Sequence, residues 1–144
     1  MTPVLQGLRV IELGQVFAGP FAGAILSDLG AEVIKIERLE GGDDARRMGA
    51  AFLRGDALNF HIFNRGKQSV ALDLKSEEGR VALSHLLTQA DVFLHNLRPG
   101  VAQQLGVDAS TLTLRHPRLI YGEISAYGSA GPLANQPEIG RAHV

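Results

Sequence analysis

Residues Gly7 to Arg38 read GLRVIELGQVFAGPFAGAILSDLGAEVIKIER, and this stretch decides the fold. Leu8–Leu13 is a short apolar run with β-branched residues, which predicts a strand. Gly14 to Pro20 is a turn broken by Gly14, Gly19 and Pro20, with Pro20 placed as a first helical residue. Phe21–Leu29 is small and apolar, which predicts a helix that Gly30 stops. Glu32–Glu37 alternates charged and apolar residues and predicts a second strand. Strand, glycine-containing turn, helix and strand form a βαβ unit, whose two strands lie parallel. In open parallel sheets ligands bind beyond the carboxyl ends of the strands. That directs attention to the Gly14–Pro20 turn and to the segment starting at Arg38.

The rest of the chain repeats the alternation. Leu39–Gly66 is a long irregular stretch in which Ala57–Phe63 is apolar enough to pack as a short helix. A connection of that length inside a domain is often functional. Ser69–Leu74, Asp91–Asn96 and Leu119–Ser125 predict three further strands. Between them Ser76 caps a helix running to about Gln89, Val101–Leu105 forms a short helix closed by Gly106, and Asp108 caps another to Leu114 or Arg115. Five strands alternating with helices predict an α/β fold with a mostly parallel, doubly wound sheet.

Composition sets limits. The chain has 144 residues and a net charge of −1, which implies neither a nucleic-acid nor a membrane-surface partner. It has no cysteine, hence no disulfide, thiol nucleophile or thiolate metal site. Met1–Gly7 lacks the basic start and apolar core of a signal peptide, and a cytoplasmic location is expected. His61, His85, His95, His116 and His143 show no metal-ligand spacing, so no metal site is expected. There is no Walker A sequence, no G-x-G-x-x-G in the first turn and no G-x-S-x-G nucleophile elbow. What remains is a set of cations near predicted strand ends: Arg38, Arg65, Lys67, Lys75 and Arg98. They are either a crescent for phosphate groups or solvated loop charges.

Leu8–Leu13 with Ala18-Gly19-Pro20, Leu29–Arg38, Gly42-Asp43, Phe63–Ser69, Leu72–Lys75, Ala90-Asp91-Val92, Asn96–Gly100 and Pro117–Tyr121 together resemble the N-terminal part of a class III CoA-transferase. That is the CaiB/BaiF, formyl-CoA transferase-like family, related to the α-methylacyl-CoA racemases. The resemblance implies a Rossmann-like large domain, truncated here, in a protein whose two chains interlock as a homodimer. It implies coenzyme A as substrate and product, with no tightly bound cofactor, and an acyl-CoA and a carboxylic acid as the small-molecule partners. It further implies an Asp nucleophile acting through anhydride and thioester intermediates; racemization of an acyl-CoA or a non-catalytic CoA-binding fragment is the alternative.

By resemblance, Phe17 and Ala18 face the thiol end of CoA, at a place where many transferases carry Gln in the position of Phe17. Arg38 lies near the nucleotide, Leu72, Asp73, Leu74 and Lys75 lie along the adenosine end, and Asn96, Leu97 and Arg98 form another lining turn. A basic residue is common where this chain has Gln104. The bland alternatives are a core Phe17, an Arg38 that pairs with Glu40 or Asp43, an exposed Lys75, and an Asn96 that simply closes its own turn. The family's catalytic Asp lies beyond Gly131-Pro132 and beyond Val144, so no catalytic residue is expected here. Residues 1–137 then form the N-terminal part of the large domain. Residues 138–144 (EIGRAHV) match the translation of a common sequencing adapter and are expected to be read-through. Strand Leu119–Ser125, or whichever strand normally pairs with a missing neighbour, is expected to show an open edge, and some helices to expose apolar faces.

Overall fold

The structure, a computed structural model, describes residues 2–136; the expected read-through at 138–144 lies outside them. Strand β1 (Arg9–Leu13) leads into helix α1 (Ala18–Asp28) and strand β2 (Glu32–Glu37). A 3-10 turn (Asp44–Arg47), a small hairpin of β3 (Phe52–Leu53) and β4 (Asp56–Ala57), and helix α2 (Leu58–Asn64) follow. Then come β5 (Gln68–Ala71), α3 (Glu77–Leu87), β6 (Val92–His95), α4 (Val101–Leu105), α5 (Ala109–Arg115) and β7 (Ile120–Glu123).

The main sheet has the order β5-β2-β1-β6-β7, and every neighbouring pair is parallel. Val10 sits between Val33 of β2 and Val92 of β6. The sheet is covered on both faces. One face buries Ile11, Ile34, Ile36 and Phe93 with Leu83, Leu87, Val107 and Leu112. The other packs Val10, Val33 and Leu94 with Ala22 and Leu26 of α1. The doubly wound fold read from the sequence is present, and the order reverses between β1 and β6, where such sheets open a ligand crevice.

Local signals explain most boundaries. Ser76 Oγ accepts the Gly79 N–H at 3.0 Å, and an Asp108 carboxylate oxygen accepts that of Thr111 at 3.0 Å, so both expected caps form. Gly106 closes α4 in the left-handed region, φ 68°.

Some expectations need correction. Pro20 is the third residue of α1, not the first; the position still suits it, because the first four helical N–H groups lack intrahelical acceptors. The third long strand is Gln68–Ala71 rather than Ser69–Leu74. Leu72 N still reaches Glu37 O at 2.9 Å, but Asp73 then folds back to accept the Lys75 N–H at 2.9 Å and ends the ladder. The stretch from Leu39 to Gly66 is only partly irregular, since it contains the hairpin and α2. β7 does lie at a sheet edge, with Ile120 63% exposed. Phe17, Phe21, Ile25 and Leu29 form an exposed apolar stripe at four-residue spacing along α1.

Candidate functional site

The crevice lies where the sheet order reverses. A cleft of about 810 Å³ opens beyond β1, β6 and β7, walled by Phe17, Ala18, Asn96, Leu97, Arg98 and Tyr121 among others. Five of the ten residues singled out in the sequence therefore meet here.

Asn96 binds the two sides together. Its Oδ1 accepts the Gln15 N–H at 2.8 Å, and its Nδ2 donates to Gln15 O at 2.9 Å. The side-chain amide thus pairs with a backbone as a neighbouring strand would, across 81 residues of sequence. The turn that Asn96 closes is β1–α1 rather than its own.

That turn is strained. Val16 has φ 64°, a region that β-branched residues rarely occupy and that costs about 1–3 kcal/mol. The Val16 N–H donates to Asp43 Oδ1 at 2.9 Å, and the same oxygen accepts from Ala45 N. The bend delivers Phe17 to the cleft mouth, 40% exposed, its ring against Phe21 and Phe63. Phe17 also starts α1 without a side-chain cap. Among the described residues the Ala18 and Gly19 N–H groups have no acceptor, so the positive end of the helix dipole opens at the cleft.

Beneath the turn lies a cluster that sequence reasoning missed. Glu12 and Lys35 are register partners on β1 and β2, and both are buried. Lys35 Nζ lies 3.1 Å from Glu12 Oε1, 2.8 Å from Asp43 Oδ2 and 2.8 Å from Gly14 O. Lys67 Nζ lies 2.6 Å from Glu12 Oε2 and donates to Pro20 O and Asn64 Oδ1. Glu12 Oε2 and Asp43 Oδ2 meet their lysines off the hydrogen-bond axis, so those contacts are electrostatic. Two carboxylates and two ammoniums balance, as buried charges must. Burial pushes Lys67 below its ordinary pKa, against the pull of Glu12. Next to them burial would raise Glu37, but hydrogen bonds from Arg46, Ser69 and the Asp43 N–H bring it down to about 2.

The remaining sequence-singled residues lie outside the cleft. Arg38 donates to Gly42 O and pairs with Asp44 at 2.6 Å, and Asp44 itself borders the cleft. Leu72 and Leu74 pack on the core, whereas Asp73 and Lys75 are exposed on the turn after β5. The expected cation crescent loses two members. Arg65 pairs with Asp28 at the far end of α1, and Lys67 precedes β5 and is buried. Both sit at the amino end of their strand, which a proximity argument along the chain does not distinguish.

A family model described as CoA-transferase family III matches residues 5–143. The chain belongs to CoA-transferase family III. It is 42% identical to succinate–glutarate CoA-transferase of Agrobacterium fabrum over 139 residues, covering 92% of this chain and 35% of that protein. It is 45% identical to acetyl-CoA:oxalate CoA-transferase of Acetobacter aceti over 132 residues, covering 92% and 34%. A CaiB/BaiF family protein from Brucella suis superposes with a TM-score of 0.88 at 40% identity, over 95% of this chain and 37% of that one. This family III chain thus spans about a third of the length of the curated relatives it matches. Among its described residues no group of three or more His, Cys, Asp or Glu could hold a metal ion, and no helix is long and apolar enough to cross a membrane.

Proposed function

We propose that this chain is the CoA-binding N-terminal part of a CoA-transferase that moves coenzyme A from an acyl-CoA to a carboxylic acid. The supporting observation is the Asn96–Gln15 clasp, which joins Phe17-Ala18 and Asn96-Leu97-Arg98 around one cleft at the sheet reversal of a family III chain. CoA enters with its thiol end at Phe17 and Ala18, and its nucleotide toward Arg38 and the Leu72–Lys75 turn. The open N–H groups at the start of α1 favour the thiolate as it forms.

The nucleophile is an Asp outside this sequence. Its carboxylate attacks the thioester carbonyl, the C–S bond breaks, and CoA leaves as thiolate with an acyl-aspartyl anhydride behind it. The thiolate then attacks the aspartyl carbonyl and releases the first carboxylate. The same two steps in reverse order, with the second acid, give the new acyl-CoA. The working protein is an interlocked homodimer in the cytoplasm.

The test uses the full-length protein, succinyl-CoA or acetyl-CoA as donor, and glutarate or oxalate as acceptor. New acyl-CoA formed without loss of total thioester supports the reading. Exchange of the acyl α-proton with solvent deuterium, with no CoA transfer, refutes it in favour of a racemase.

A further inference from the structure

We infer that Tyr121, oriented by His95, donates a hydrogen bond from its hydroxyl to an amide carbonyl of the pantetheine arm of CoA. The inference rests on the CoA reading of the cleft and adds a residue to it.

His95 ends β6 with only 1% exposure, and two contacts settle its tautomer. The Leu97 backbone N–H donates to Nδ1 at 3.2 Å, so Nδ1 carries no proton. Burial holds the imidazole below its ordinary pKa, partly offset by Glu123, and the neutral ring keeps its single proton on Nε2. Nε2 lies 2.6 Å from Tyr121 Oη, and therefore donates to it. A pair with only a structural role would do with the opposite polarity, the phenol donating to Nε2. Leu97 excludes that arrangement by occupying Nδ1.

The phenol is left with its own proton and no acceptor for it among the described residues. Its ring is fixed, 5.6 Å from Phe93 and 5.3 Å from His95 between centroids. The side chain is half-buried and borders the cleft beside Asn96 and Arg98. A fixed donor, satisfied as an acceptor and aimed at a ligand cleft, calls for an acceptor on the ligand.

Charge selects which acceptor. Burial, Glu123 and Asp108 together push Tyr121 up to about 12, so the phenol stays protonated and faces a negative potential. A phosphate or carboxylate oxygen is disfavoured there, and a neutral carbonyl is not. The pantetheine arm supplies two amide carbonyls between the thiol and the nucleotide.

The experiment compares wild-type full-length protein with Tyr121→Phe, which keeps the ring and removes the hydroxyl, both the donor to the ligand and the acceptor of the His95 Nε2–H. Calorimetry with CoA and with pantetheine reads the affinities at a temperature where both proteins are fully folded, since the unpaired His95 Nε2–H lowers the variant's melting temperature. The expected result is a loss of about fivefold for both ligands. Equal affinities in wild type and variant overturn the inference. A loss for CoA but not for pantetheine overturns it too, because the contact then lies on the nucleotide. Wild-type protein that binds neither ligand overturns both this inference and the CoA reading. Infrared spectra of bound pantetheine carrying ¹³C at its amide carbonyls give a second readout that needs no variant. A shift of one amide band to lower frequency relative to free pantetheine supports the inference, and its absence overturns it.

Discussion

Replacing Lys35 by Met removes one ammonium from the balanced cluster beneath the β1–α1 turn. Wild-type Lys35 serves Glu12 at 3.1 Å, Asp43 at 2.8 Å and the Gly14 carbonyl at 2.8 Å, at 1% side-chain exposure. In Lys35→Met, Lys67 still faces Glu12, and Asp43 keeps its two backbone N–H donors, but the cluster carries one uncompensated negative charge. Removing one partner of a buried pair costs about 3–5 kcal/mol, a large share of the roughly 5–15 kcal/mol that holds a domain folded. The double variant Lys35→Met/Asp43→Asn is neutral again and recovers more than half of that loss. The single variant also acquires a pH signature. An unpaired buried carboxylate has a folded pKa above its unfolded value, so its protonated form stabilises at low pH and the gain vanishes as pH rises through the folded pKa. The cost in Lys35→Met therefore shrinks between neutral and acid pH. Urea unfolding of the full-length protein at pH 5 and pH 7 measures both effects. A cost below about 1 kcal/mol, or a double variant no more stable than the single, refutes the view that charge balance holds this turn.

Gly23→Ala should destabilise, although alanine is worth about 1 kcal/mol more than glycine in a helix. Its Cβ would stand 1.9 Å from Glu12 Oε2, and overpacking costs about 1–3 kcal/mol, so a neutral or stabilised melt contradicts the placement of Glu12. Glu37 lies depressed to about 2 in the folded chain, so its stabilisation is complete above about 4.5 and is lost as pH falls toward 2. Acid titration of stability should show about 3 kcal/mol less loss across that window in Glu37→Gln than in wild type. Asn96→Ala should cost about 1–3 kcal/mol for its two hydrogen bonds and weaken CoA binding in calorimetry; unchanged affinity would separate the clasp from the site.

The fold was legible because its signals are local. Leu8–Leu13, the glycine-bounded helix and Glu32–Glu37 each follow one periodicity, and Ser76 and Asp108 accept from N–H groups three residues further on. The hairpin at 52–57 was not legible, since two residues per strand show no period. The charged half of β2 was legible as a strand but not as buried. Alternation reports which residues share a face, and only the packing of α1 and residues 43–67 over that face hides Lys35 and Glu37. The cleft was half legible. Phe17 and Asn96 came from motif resemblance, whereas His95 and Tyr121 stand 26 residues apart and meet only because β6 and β7 pair.

The Asn96 clasp sets unequal mutational freedom on its two partners. Gln15 contributes to the clasp only its peptide N–H and C=O, which every residue except proline carries, so the clasp does not depend on its side chain. Asn96 contributes the side chain itself, and no other residue type offers a donor and an acceptor at that reach with the same planarity. A replaced 14–17 loop therefore keeps the clasp with any residue but proline at position 15, provided that Asn96 stays, while the Gln15 side chain itself lines the cleft.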